Sequence, residues 1–147
     1  MTWNFKGKTG GEKAALVGAA LSVLTAAGHI IYGLMYEQYA DCMVPLCLLA
    51  GAALLGAYAM MHKSIANWLS LLGVLVGGFG WGLMIVNSYN VWADTLGNLQ
   101  QYGKLWGDFN FFNSQGGPIP AVILIALGLA AVVCGVVSCF AGKEAVK

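Results

Sequence analysis

The residue with the clearest capacity for chemistry is His29, which lies inside the first long apolar stretch of the chain. Burying an ionisable side chain at membrane depth is costly, so such a residue is a functional hypothesis by default. Ser22 and Thr25 precede it at steps of three and four residues, which places the three polar side chains on one helix face. Two interpretations stay open. His29 belongs to a pore or ligand path, or it is a neutral histidine that hydrogen-bonds to Thr25 or to a neighbouring helix.

Trp81 is the second candidate for binding, because Gly80 and Gly82 flank it inside the third apolar stretch. The two glycines leave room for a ring or a chain to stack on the indole. A ligand platform and an aromatic wedge between helices both fit this pattern, and the wedge is the commoner arrangement.

The four cysteines form two C-x4-C pairs, Cys42 with Cys47 and Cys134 with Cys139. Positions five apart do not share a helix face, so neither pair makes a good two-ligand clamp for a metal ion. Small apolar packing is the expected role of these thiols. The sequence also lacks the motifs C-x-x-C, H-E-x-x-H and G-x-S-x-G, and a phosphate-binding glycine loop. We therefore expect no enzyme activity, no catalytic residues, no metal and no cofactor.

Composition identifies the elements that position these residues. Of the 147 residues, 59% are hydrophobic and 9% are charged, whereas soluble domains carry about 25% charged residues. The formal net charge of +1 gives no reason to expect a nucleic-acid partner. The pattern predicts an all-α integral membrane protein, a single domain of four transmembrane helices. The predicted spans are residues 14–35, 43–61, 65–86 and 119–141, and none of them contains Asp, Glu, Lys or Arg.

Orientation follows from the basic residues that flank these spans. With the N-terminus inside, six of the seven lysines are cytoplasmic and only Lys104 is outside. That asymmetry follows the positive-inside rule. We expect a multi-pass protein of the cell membrane with both the N- and the C-terminus in the cytoplasm.

The longest segment outside the spans is residues 87–118, which would lie on the extracytoplasmic side. Its apolar residues recur at three- and four-residue steps and predict an amphipathic helix at the membrane interface or over the bundle. The predicted partner-binding face consists of Trp92, Leu96, Leu99, Tyr102, Trp106 and Phe109.

Small residues recur along three of the spans, including Gly73 and Gly77 in the third and Gly128, Ala131 and Gly135 in the fourth. In lipid, such residues let helix backbones approach closely. The stripes predict the seams of a tight bundle or of a homo-oligomer, and they do not distinguish the two. The layout resembles that of tetraspan membrane proteins in topology alone, because the cysteine motifs of those groups are absent from residues 87–118.

Two functional hypotheses follow. The first is a non-enzymatic structural or accessory subunit in the lipid bilayer, which self-assembles or joins a larger membrane complex through its outer aromatic segment. The alternative is a small oligomeric channel or transporter with a path along Ser22, Thr25 and His29, with Trp81 near it.

Overall fold

A computed structural model describes residues 8–36, 39–61, 66–89, 93 and 118–141. These residues form four long helices: α1 (Gly10–Met35), α2 (Met43–Met60), α3 (Ala66–Asn87) and α4 (Pro118–Phe140). All four are long and apolar enough to cross a membrane. The described part of the chain is thus all-helical, and its four spans are those of a multi-pass membrane protein, as the composition predicts.

The first helix begins at Gly10, ahead of the predicted start of the span at Ala14, because residues 9–12 form a capping box. The Thr9 hydroxyl accepts a hydrogen bond from the Glu12 backbone N–H at 3.3 Å, and the Glu12 carboxylate accepts one from the Thr9 N–H at 3.0 Å. These two bonds satisfy backbone donors that have no partner within the helix. Glu12 therefore belongs to the first turn of α1, ahead of the predicted span, and it is only 4% exposed.

Each helix packs antiparallel to its sequence neighbours, and α4 closes the ring by packing on α1. This is the up-down-up-down topology of a four-helix bundle. The start of α1 and the end of α4 lie at one end of the bundle, called here the terminal end. The residues between α1 and α2, the end of α3 and the start of α4 lie at the other end, called here the distal end.

Glycines bring the helix backbones together at two seams. A Cβ on Gly51 of α2 would lie 2.8 Å from the Cα of Gly77 on α3, and one on Gly18 of α1 would lie 3.1 Å from the carbonyl of Ala131 on α4. A side chain on Gly51 would force the two backbones apart, and one on Gly18 would require its neighbours to move by a few tenths of an ångström. Small residues of all four helices therefore meet within a single chain, where close approach gains dispersion contacts that lipid does not supply.

Large apolar side chains cover the outside of the ring. Leu34 is 80% exposed, Phe79 60% and Val86 67%, and each lies on a spanning helix. An apolar exterior of this size suits contact with acyl chains rather than with water.

Candidate functional site

The buried face of α1 carries the three polar residues that the sequence singles out. Ser22 and His29 are each 4% exposed and Thr25 is fully buried, so all three point into the bundle. The Thr25 hydroxyl donates to the carbonyl of Leu21, one turn earlier in the same helix, at 2.8 Å. Its proton is therefore committed to its own helix. Within the described part of the chain, no hydrogen bond is made to the His29 imidazole.

His29 lines a small cavity at the distal end of the bundle. Residues of α1, α3 and α4 and of the α1–α2 connection surround it: Tyr32, Tyr39, Met84, Asn87, Ser88, Ala121 and Leu124. About 10 Å³ is open to the centre of a water molecule, which is room for one water. The imidazole, the Asn87 amide and the Ser88 hydroxyl supply the polar partners that such a water needs.

Asp41 links this cavity to the start of α2. Its carboxylate accepts a hydrogen bond from the Asn87 side-chain amide at 2.7 Å and another from the Met43 backbone N–H at 2.8 Å. The second contact satisfies a free donor in the first turn of α2, where a negative charge is also favoured by the helix dipole. Asp41 thus ties the end of α3 to the start of α2, and the Asn87 side chain is held beside His29.

Three tyrosines close the distal end next to the cavity. The ring centroids of Tyr32 and Tyr36 are 5.1 Å apart, as are those of Tyr32 and Tyr39, while Tyr36 and Tyr39 are 6.5 Å apart. These separations lie in the range that favours aromatic pairs. Tyr32 and Tyr39 are both buried, so the cluster separates His29 from the surroundings of the bundle.

A second polar cluster, not predicted as a unit, lies near the terminal end. Ser70 of α3 and Ser138 of α4 are fully buried with their hydroxyl oxygens 2.7 Å apart, and the Ser138 hydroxyl donates to the Gly135 carbonyl at 2.6 Å. The Tyr58 hydroxyl of α2 donates to the Ser138 carbonyl at 3.2 Å. Ser70 and Ser138 lie at similar depths from the same end of the bundle. Counting from the helix ends indicates this common depth, but it does not indicate that the two side chains face each other.

The proton order in this cluster follows from the donors available. A serine hydroxyl has one proton. Since Ser138 gives its proton to Gly135, Ser70 must donate to Ser138, and the Cys139 thiol, 3.1 Å from the Ser70 oxygen, must donate to Ser70. Cys139 therefore takes part in a polar contact, whereas the sequence predicts apolar packing. The described cysteines Cys42, Cys47, Cys134 and Cys139 are all free thiols.

Trp81 packs between α3 and α4. Its indole N–H donates to the Ile125 carbonyl at 3.0 Å, and its ring covers Gly128 so closely that a Cβ there would clash with it. The ring therefore occupies the position of a wedge between two helices. It does not line the cavity around His29.

The predicted partner-binding residues lie outside the described part of the chain. This holds for Trp92, Leu96, Leu99, Tyr102, Trp106 and Phe109, so the amphipathic helix over residues 87–118 stays a prediction. In the ranges that the structure describes, no three His, Cys, Asp or Glu side chains come close enough to hold a metal ion.

Comparisons of this chain with protein-family models, with curated proteins and with solved structures found no match. The functional argument consequently depends on the geometry of the chain itself.

Proposed function

We propose that this protein is a non-enzymatic accessory subunit of the membrane, which binds a partner through the aromatic face of residues 87–118 on the extracytoplasmic side. In this proposal both termini lie in the cytoplasm, as the distribution of the seven lysines favours. The partner is a second copy of the chain or another membrane protein.

The observation that supports the proposal is that small residues of neighbouring helices pack against each other inside the bundle. Gly51 packs against Gly77, and Gly18 packs against Ala131, so these close-contact surfaces are occupied inside one chain. The described exterior of the ring is dominated by large apolar side chains that suit lipid. The aromatic residues of the segment between α3 and α4 are proposed to provide specific recognition, since Trp and Tyr are enriched where interfaces bind tightly.

The test uses the doubly substituted chain Trp92→Ala/Trp106→Ala, purified with its bound proteins in a mild detergent and quantified by mass spectrometry. We expect the double variant to lose at least one protein, or self-association, that the unsubstituted chain retains. Trp68→Ala is the matched control, because Trp68 lies on α3 and is 66% exposed. If the double variant keeps every bound protein, the proposed interface is wrong.

A specific observation favours transport as the second candidate function. Ser22, Thr25 and His29 all face the interior, and a second cavity of about 10 Å³, lined by Ser22 and by glycines of α3 and α4, lies deeper in the bundle. Hydroxyl and imidazole groups next to water-sized spaces are the components of a proton path. Each space holds about one water, so protons and water are the species that suit them.

Proton entry into liposomes that contain the purified protein, followed with an internal pH-sensitive dye, tests this candidate. The transport hypothesis predicts that His29→Ala abolishes the flux while the particle mass stays the same. Ser138→Ala is the control, since that residue belongs to the other polar cluster. Loss of assembly in His29→Ala, or an unchanged flux, would assign a structural role to the histidine.

A further inference from the structure

An apolar groove runs along the outside of the bundle between α1 and α2. Its volume is about 680 Å³, which lies in the range of small-molecule sites. Small residues of both helices create the concavity: Ala19 and Ala20 on α1, and Ala52, Ala53 and Gly56 on α2. All of its lining side chains are apolar, so an occupant must be apolar along the whole groove.

The length of the groove distinguishes among apolar occupants. On α2 it extends from Leu49 to Met60, about 16 Å at 1.5 Å per residue. The hydrocarbon core of a bilayer is about 30 Å thick, so the groove has the depth of one leaflet. A spanning helix of another chain would pack through both leaflets, whereas the acyl chain of a lipid ends near the middle of the membrane.

The terminal end of the groove carries positive charge. Lys13 lies one turn before Leu16 and Val17 on the same face of α1, and both of those residues line the groove. The Lys8 ammonium donates to the carbonyl of Ala59, next to the lining residue Met60, so a second lysine is fixed at the same mouth. Ammonium groups near the membrane surface attract lipid phosphates.

From the length, the lining and the charge, we propose that the groove binds one acyl chain of an anionic glycerophospholipid from the leaflet at the terminal end, with the phosphate next to Lys13. Met60 lies at one end of the acyl chain and Leu49 at the other. The flexible thioether of Met60 adapts to the shape of the occupant. This inference is independent of the proposed accessory function, because it uses a different face of the bundle.

Native mass spectrometry of the full chain tests the proposal, with phosphatidylglycerol and phosphatidylcholine of identical acyl chains as probes. We expect the unsubstituted protein to retain one phosphatidylglycerol molecule in preference to phosphatidylcholine by about fivefold, the effect of one lysine near a lipid surface. Lys13→Gln should abolish this preference and still retain lipid. Ala53→Trp should fill the groove and reduce the retention of both lipids.

Ala130→Trp is the matched control, since Ala130 is exposed on α4 and away from the groove. It should retain lipid as the unsubstituted chain does. If Ala53→Trp loses its helical circular dichroism, the smaller change Ala20→Leu replaces it with the same expected loss. Equal retention of the two lipids by the unsubstituted chain would overturn the proposal. So would a dimer that Ala53→Trp converts to monomers, because the groove would then belong to a second copy.

Discussion

At the scale of single residues, the buried polar groups fall into two kinds. Ser138, Ser70, Thr25 and the Trp81 indole each give their proton to a defined acceptor within the chain. His29 differs, because its side chain faces a water-sized cavity and makes no hydrogen bond to the described residues.

The pair formed by Ser70 and Ser138 should contribute measurably to stability, because its hydrogen bond joins two helices. We expect Ser138→Ala to reduce the free energy of unfolding in detergent by about 1 kcal/mol. Combining it with Ser70→Ala should reveal a coupling of about 0.6 kcal/mol, the mean for hydrogen bonds between membrane helices. Ser88→Ala should cost less, since its hydroxyl bonds only to the Met84 carbonyl of the same helix. An additive pair of substitutions would contradict the hydrogen bond between Ser70 and Ser138.

At the scale of elements, the bundle depends on how closely α2 and α3 approach. Gly51 faces Gly73 and Gly77, and a Cβ on Gly51 would come within 2.9 Å of three backbone atoms of α3. Backbone atoms cannot rotate away as a side chain can, so the two helices would have to separate. Gly80 makes a similar contact with Val44, Cys47 and Leu48 nearer the distal end. Glycines therefore determine the distance between α2 and α3 both at Gly51 and nearer the distal end at Gly80.

Gly51→Ala should destabilise the protein by about 1–3 kcal/mol, the usual cost of overpacking. The measurement is the midpoint of unfolding in a denaturing detergent. Gly82→Ala is the matched control on α3, because nothing lies within 4 Å of the added methyl group. We expect it to be neutral or slightly stabilising, since alanine favours helix more than glycine does. Equal effects of the two substitutions would mean that the close contact is not what limits the spacing.

At the scale of the whole molecule, the ring of helices has a closed interior and an apolar exterior. The seams between the helices are filled within one chain, and the cavities that contain Ser22 and His29 are each the size of one water. A wide solute path therefore would have to form between copies, whereas a proton path could run inside one. The number of copies therefore separates an oligomeric solute pore from the accessory subunit, and the proton-flux measurement addresses a path inside one chain.

The mass of the particle in nanodiscs, measured by native mass spectrometry without crosslinking, should correspond to one chain, to two chains, or to one chain with an unrelated partner. The reason is that the tightest small-residue contacts, such as that of Gly51 with Gly77, are made inside the bundle. Trp92→Ala/Trp106→Ala should then remove any partner and leave the chain alone. A closed ring of several copies would contradict the accessory proposal and favour a pore.

Much of the architecture could be predicted from the sequence, for physical reasons that are local. The length and apolarity of each span determined four membrane-crossing helices, because only a helix satisfies its own backbone in lipid. The cap of α1 is also readable from the sequence, since a capping box needs only the four residues Thr9–Glu12 that form it. The sequence also placed Ser22, Thr25 and His29 on one face through the helical repeat alone.

Only the tertiary structure decided which faces meet. A helical repeat identifies the small or polar side of a helix, but lipid is as apolar as leucine and does not dictate which helix covers that side. Three contacts therefore required the packed bundle: Gly51 with Gly77, the Trp81 ring with Gly128, and Ser70 with Ser138. The groove between α1 and α2 has the same origin, because it exists where the small residues of two helices lie side by side and nothing in the described chain fills the space.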